Sequence, residues 1–504
     1  MRRRLRTLAA RAAATFPGTA AVLALAAVAT ACGDRGGPPA RAIALAECRL
    51  PRLAVAAQCG EWEVPEDRSR PEGRRIKLVV AVLPANTLNP RADPLFILAG
   101  GPGQAATRLG PFAAQLVDVR RNRDIVLVDQ RGTGRSSPLD CMAFRPSEGP
   151  DAAIDVDPLP KARGCLAQLA ARGVDPTQYT TAAFVADLDA VRAALGYERI
   201  NLWGGSYGSR AALEYLRAHP AHVRSMVLDG VVPPGMVPLV DVWPTREAAF
   251  AGVLAACANS PACDAAHLNL EAALATIGER LGATGREVAF TDPRTGETRT
   301  LQLDFDQVLA ALQGLLYVPE LASLLPEVID AARDGNFAPL FAARSLLGAD
   351  LAEQVDPALH FAVTCADDAP RLTPARIEQA LAGARTRALA LRVLAVCAVW
   401  PRGTAPATPV TPVTSDVPVL MLSGGLDPVT PPAYGAEVGR TLPNSRHIVA
   451  AGYGHIVSPH ACAPRLIGAF IDDPGAAKLP ATCVAHFESS ARPPLWPDRL
   501  GGQP

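Results

Sequence analysis

Two hydrophobic rhythms alternate along the chain. Short apolar runs bounded by Gly, Pro, Asn and Asp read as strands at Glu61–Val64, Ile76–Leu83, Leu95–Leu98, Ile125–Val128, Ile200–Trp203 and Ser225–Leu228, and again at Val417–Leu422 and His447–Ala450. Leu95-Phe96-Ile97-Leu98 and Ile125-Val126-Leu127-Val128 are apolar at every position. Strands buried on both faces need this. Between the strands the period lengthens: Phe184, Leu188, Val191 and Leu195 recur at helical spacing, and Gly196 ends the run. The alternation predicts an α/β protein, a mostly parallel central sheet with helices on both faces.

From about Pro233 to Ser415 strand signals nearly vanish. Ala- and Leu-rich helical segments replace them at Asp306–Leu316, Glu320–Arg333 and Pro374–Val399, and a Pro/Gly linker, Pro401 to Pro406, follows. This stretch is expected to be an inserted, mainly helical cap. The pattern divides the chain into a leader (1–31), a tether (32–47), a first core segment (48–232), the cap (233–415), a second core segment (416–490) and a tail (491–504).

The leader belongs to targeting, not to the fold. Arg2, Arg3, Arg4, Arg6 and Arg11 precede an apolar stretch from about Thr19 to Ala31, too short to span a bilayer comfortably. Val28-Ala29-Thr30-Ala31-Cys32 resembles a bacterial lipoprotein signal, which makes Cys32 the lipidation site and a lipid anchor the link to a membrane. An ordinary signal-peptidase site near Ala29 to Ala31 is the alternative, giving a secreted or periplasmic protein. The whole chain carries 49 basic and 49 acidic residues. That balance offers no general attraction for nucleic acid. Of eleven cysteines, ten remain after Cys32, an even number suited to disulfides in an oxidising compartment. They fall into sequence neighbours, Cys48 with Cys59, Cys141 with Cys165, Cys257 with Cys263, Cys365 with Cys397 and Cys462 with Cys483, although many other pairings are open. No CxxC or HExxH spacing occurs, so neither a metal nor another cofactor is expected.

The sharpest chemical signal is Gly204-Gly205-Ser206-Tyr207-Gly208, which follows the Ile200–Trp203 strand and opens a helical run. That setting is a nucleophile elbow, a sharp turn that lifts a serine hydroxyl above the sheet edge, and it points to the α/β-hydrolase fold. A serine hydroxyl needs an oriented base, and in this fold the order is Ser, then acid, then His. Asp427 lies in the loop after Val417–Leu422, and His455 follows the next strand. These are the expected acid and base; His447 and His460 are poorer placed. The developing oxyanion needs backbone N–H donors. The N–H of Tyr207 is one. The turn Ala99-Gly100-Gly101-Pro102-Gly103 supplies the other, Gly101 first and Gly103 second.

Together with Asp129-Gln130-Arg131-Gly132-Thr133-Gly134-Arg135-Ser136, the Gly100–Gly103 and Gly204–Gly208 motifs resemble the prolyl-aminopeptidase and tripeptidyl-aminopeptidase family of α/β-hydrolases. Cys59-Gly60-Glu61-Trp62-Glu63-Val64-Pro65 and the segment around Asp427 lie nearer the tripeptidyl branch. Ala99 departs from the family, which usually has His or Asn before the glycine pair. The resemblance implies removal of residues or short peptides from substrates with a free N-terminus, through an acyl-enzyme. A carboxylate must then read the substrate ammonium, and Asp367 and Asp368 stand about where relatives place such acids. Asp129 and Arg131 are expected to organise their loop by ion pairing. An esterase or other small-acyl hydrolase on the same residues is the alternative activity, and a non-catalytic binding protein the third.

Overall fold

The computed structural model describes residues 42–144, 157–291, 296–351, 355–403, 409–475 and 479–496. The leader and Cys32 lie outside these residues. Nine strands form one sheet: β1 (Ala46–Cys48), β2 (Ala57–Pro65), β3 (Arg75–Leu83), β4 (Leu95–Leu98), β5 (Ile125–Val128), β6 (Ile200–Gly205), β7 (Val223–Asp229), β10 (Val419–Gly424) and β11 (Ser445–Ala450). Between β7 and β10 the chain adds a separate hairpin of β8 (Arg286–Thr291) and β9 (Thr298–Leu303). The sheet order is β1-β2-β3-β5-β4-β6-β7-β10-β11. From β5 to β11 every neighbouring pair is parallel; β1, β2 and β3 add an antiparallel edge.

All eight expected strands are strands. β10 begins two residues later than the hydrophobic run suggested, because Val417 and Pro418 precede the first pairing with β11 at Val419. The sheet is packed on both sides, as the continuous apolar runs require. Along β4, Phe96 and Leu98 enter one core while Leu95 and Ile97 enter the other, and along β6 Leu202 and Trp203 divide in the same way. Each core is filled by helices that cross over between parallel strands.

The region between β7 and β10 has a core of its own, built from side chains such as Phe250, Leu254, Ile277, Leu309, Ile329 and Phe341. It is mainly helical but not wholly so, since the β8–β9 hairpin lies within it. Two expected long helices are broken. Glu320–Arg333 divides into Pro319–Ala322 and Leu325–Arg333, with Pro326 at the start of the second. Pro374–Val399 divides into Pro374–Ala380 and Arg387–Val399 around Gly383, which has φ +69°. Glycine takes that backbone without a Cβ penalty and ends the helical path.

Five disulfides join Cys48–Cys59, Cys141–Cys165, Cys257–Cys263, Cys365–Cys397 and Cys462–Cys483. The sequence-neighbour pairing is the one the fold adopts. No helix among the described residues is long and apolar enough to cross a membrane.

Candidate active site

Five loops converge at the carboxyl ends of the parallel strands, where ligands bind in open α/β sheets. Register brings them level. Gly204 of β6 lies opposite Leu98 of β4 and Leu228 of β7, Asp229 of β7 opposite Leu422 of β10, and Gly424 of β10 opposite Ala450 of β11. The chain therefore leaves β4, β6, β7, β10 and β11 on one side and at one height.

Ser206 sits at the turn from β6 into the helix Tyr207–Ala218, with φ 56° and ψ −124°. A residue with a side chain rarely adopts this backbone, at a cost of about 1–3 kcal/mol. The glycines around it allow the turn. A Cβ at Gly204 would lie 2.3 Å from Gly208 O, and one at Gly208 would lie 2.1 Å from Leu98 O. The Ser206 N–H donates to Asp229 O at 2.8 Å, fixing the turn from β7.

The imidazole of His455 faces Asp427, with Nδ1 2.9 Å from Oδ2. Asp427 is buried and accepts three further bonds, from the N–H groups of Val429 (2.8 Å) and Thr430 (2.9 Å) and from the Thr430 hydroxyl (2.7 Å). Burial by itself would raise the Asp427 carboxyl, but the His455 charge and these hydrogen bonds override it and hold the group below its ordinary range. For His455 burial would lower the imidazole; the Asp427 charge and hydrogen bond override it, so the group titrates above its ordinary value. Asp229 adds to that rise and Arg246 opposes it.

Ser206, Tyr207, Gly101 and His455 line one cavity of about 670 Å³. Gly101, at φ +108°, stands on the glycine turn after β4, and a Cβ on neighbouring Gly100 would be 3.4 Å from Ser206 Cβ. Tyr207 opens its helix, so its N–H has no intrahelical acceptor. Gly103, the second choice of donor, is not on the cavity; its carbonyl accepts from Asp356 N–H at 2.9 Å. Apolar side chains such as Leu239, Trp243 and Val363 form much of the remaining wall.

The acids expected to read an ammonium are placed differently from each other. Asp367 is buried away from the cavity, accepting from Thr181 N–H at 3.1 Å. Asp368 is on the cavity wall but pairs with Arg210 at 2.7 Å and with Arg371. His447, set aside in the sequence, is turned to Ser423 Oγ at 3.0 Å. Arg131 does form an ion pair, although not with Asp129: its guanidinium grips Asp187 through two bonds of 2.6 and 2.8 Å. Asp129 instead accepts from Thr107 N–H and Oγ1 at 2.8 and 3.0 Å. Neither lines the cavity. Gln130, between them, donates to Tyr207 Oη at 3.3 Å and so reaches the residue after the elbow serine.

Three supporting residues escaped the sequence reading. Thr430 Oγ1 bonds Asp427 and lies 3.3 Å from His455 Nδ1. The buried Asp229 carboxylate accepts from Val457 N–H and Ser458 N–H at 2.6–3.0 Å, holding the chain just after His455. Tyr317, from the region between β7 and β10, packs edge-on against the imidazole at 5.5 Å, and its carbonyl accepts from His455 N–H. Asp229 had a visible signal, an acid at the end of a buried strand beside Gly230. A Cβ on Gly230, where φ is +62°, would be 3.2 Å from His455 Cε1.

Residues 93–459 match the alpha/beta hydrolase fold family. The chain belongs to that family. It is 30% identical to "Carboxylesterase B" of Mycobacterium tuberculosis over 422 residues, 77% of this chain and 78% of that protein. It is 34% identical to the "Tripeptidyl aminopeptidase" of Streptomyces coelicolor over 199 residues, and 30% identical to the "Serine protease Hip1" of Mycobacterium tuberculosis over 228 residues. Those two matches span only 36% and 44% of the relatives' lengths. As a member of the alpha/beta hydrolase fold family, the chain carries its elbow serine, strand-end acid and following histidine in the order that fold uses.

Proposed function

We propose that the protein is an exported serine hydrolase that cleaves residues or short peptides from free peptide N-termini through an acyl-enzyme on Ser206. The observation that carries the reading is the bond between Asp427 and His455, made by a histidine that shares a cavity with the strained elbow serine. Asp427 holds the imidazole so that Nδ1 keeps its proton and Nε2 is left to act as base. His455 takes the Ser206 proton as the hydroxyl attacks the substrate carbonyl. The N–H groups of Gly101 and Tyr207 stabilise the oxyanion. The leaving amine takes the proton from His455, and water then releases the acyl group by the same base. The tripeptidyl aminopeptidase and serine protease relatives support the peptide substrate.

An ester substrate is the second reading. A relative matched over 422 residues carries a carboxylesterase name, and the one acid among the described lining residues, Asp368, is already offset by two arginines. Rates on peptide anilides with free and acetylated N-termini, set against p-nitrophenyl esters, decide between them. Strong preference for the unblocked peptide supports the aminopeptidase; equal peptide rates or ester preference refute it. A fluorophosphonate probe should label Ser206. An unlabelled wild type removes the serine-hydrolase reading altogether and leaves a binding protein.

The five disulfides support export. Cleavage before Cys32 and lipidation of its thiol would hold the enzyme at the cell envelope. Labelled palmitate incorporation, abolished by Cys32→Ser, is the expected result; no incorporation points to a secreted or periplasmic form.

A further inference from the structure

We infer that the helix Pro357–Asp367 sets the spacing of the two oxyanion donors, with His360 as the positioning residue for Gly101. The inference rests on the assignment of Ser206, Gly101 and Tyr207 made above. The glycine turn after β4 is held from both sides. From within the turn, Gln104 Oε1 accepts from Gly100 N–H at 3.2 Å, and Gln104 N–H returns a bond to Gly100 O. From the other side come three contacts, two from the residues that lead into this helix and one from its first turn. Val355 makes an antiparallel bridge with Gln104, Asp356 N–H donates to Gly103 O at 2.9 Å, and His360 Nδ1 lies 3.3 Å from Pro102 O. The approach is close enough that a Cβ on Gly103 would lie 2.6 Å from Asp356 O.

His360 suits this role chemically. Burial holds its imidazole below the ordinary range, so it is neutral near pH 7. A carbonyl only accepts, which assigns the proton to Nδ1 and makes His360 the donor to Pro102 O. Glycine dihedrals are soft. The Gly101 N–H shares a peptide plane with Gly100 O, which Gln104 N–H holds; the helix segment acts on it through Gln104, bridged by Val355, and through the Pro102 and Gly103 carbonyls that His360 and Asp356 grip.

The other end of the helix reaches the second donor. Asp368, the residue after the helix, pairs with Arg210, which stands on the helix that Tyr207 opens. Asp367 accepts from Thr181 N–H, and Thr181 Oγ1 bonds Tyr207 Oη at 2.9 Å. One rigid element thus touches the supports of both N–H groups, and the Cys365–Cys397 bridge fastens it in turn. The two acids anchor a buttress in this arrangement, and their buried partners account for them without a substrate ammonium.

The test compares His360→Ala and His360→Asn with wild type in steady-state kinetics and in binding of a trifluoromethyl ketone, whose hydroxyl adduct places an oxyanion in the hole. The alanine variant should lose roughly ten- to a hundredfold in kcat, with KM within about threefold. Ketone affinity should fall by the same factor as kcat/KM while product affinity holds, and the asparagine variant, which keeps a donor, should recover part of both. A rise in KM at unchanged kcat, or unchanged ketone affinity, overturns the inference and leaves His360 a wall residue. Fluorophosphonate labelling of wild type, measured first, separates the two failures: labelled Ser206 with an unaffected ketone series sinks the helix role alone. If the alanine variant does not fold, the asparagine variant carries the same comparison.

Discussion

Asp427→Asn tests the proposed active site at its most constrained atom. The carboxylate receives four donors: Val429 N–H and Thr430 N–H at Oδ1, and the Thr430 hydroxyl and His455 at Oδ2. An amide must give one of these two places to its NH2. If the NH2 replaces Oδ1 it meets two backbone N–H groups, leaving both without an acceptor at about 1–3 kcal/mol each. If it replaces Oδ2 it donates to His455 Nδ1, and the Thr430 hydroxyl can rotate to accept. The second orientation costs less by about 2–6 kcal/mol. It forces the imidazole proton onto Nε2, the nitrogen that must be empty to take the serine proton. Only a small population keeps the useful tautomer, and the carboxylate that steadied the imidazolium is gone. The expected loss in kcat is about 10³- to 10⁴-fold, or about 4–5.5 kcal/mol of barrier. The sign for pH also follows. Asp427 raises the His455 pKa, and the base is needed unprotonated, so wild-type activity grows as pH rises through that raised value. In the variant the residual acid limb of kcat/KM should move to lower pH. Steady-state rates from pH 5 to 9, with unfolding curves to show an intact fold, make the check. A loss under tenfold, or an acid limb that stays in place or moves up, refutes the assignment.

Arg246 opposes protonation of His455 across the cavity, so Arg246→Gln should raise the histidine pKa and move the acid limb of kcat/KM upward; an unmoved or lowered limb would show that the guanidinium does not reach the base. Gly208→Ala drives a Cβ to 2.1 Å from Leu98 O and should cost about 3 kcal/mol or more in unfolding free energy, whereas Gly252→Ala, in the helix Pro238–Ala258 with nothing within 4 Å, should be neutral or stabilise by up to about 1 kcal/mol. Equal stability of the two variants would contradict the elbow packing. Reduction should lower thermal stability, since each bridge typically contributes about 2–4 kcal/mol; mass analysis after alkylation of the native protein should find the ten bridge thiols blocked, and ten free thiols would reject the framework.

What the sequence disclosed and what it withheld divide along one physical line. β4, β5, β6 and the elbow were legible because their signals are local: four apolar residues in a row need two covered faces, and glycines at 204 and 208 are needed where a strand and a helix crowd one turn. The meeting of Asp427 with His455 was legible through chain order, since a parallel sheet returns every strand end to the same edge. The small hairpin β8–β9 was missed because its six-residue strands sit in a helix-rich stretch and lack a long apolar run. Asp367 and Asp368 were expected to read a substrate ammonium, but two of the groups they face, Thr181 and Arg210, lie more than 150 residues away. Arg131 likewise found its partner, Asp187, 56 residues away, and nothing in the sequence marked His360, which lies 258 residues from Pro102. A sequence motif announces that a residue type is needed at a place; it says nothing about which distant group the folded chain will bring against it. That distinction decides how the paired acids are read. Two carboxylates in a cleft suggest an ammonium receptor only while they are unaccompanied, and a buried carboxylate facing two guanidinium groups is already balanced. An aminopeptidase built on this scaffold must therefore draw its selectivity for a free N-terminus from elsewhere in the cavity, so that Asp368→Asn should loosen the Tyr207 helix and lower kcat for blocked and unblocked substrates alike, where a true amine receptor would lose the unblocked peptide alone.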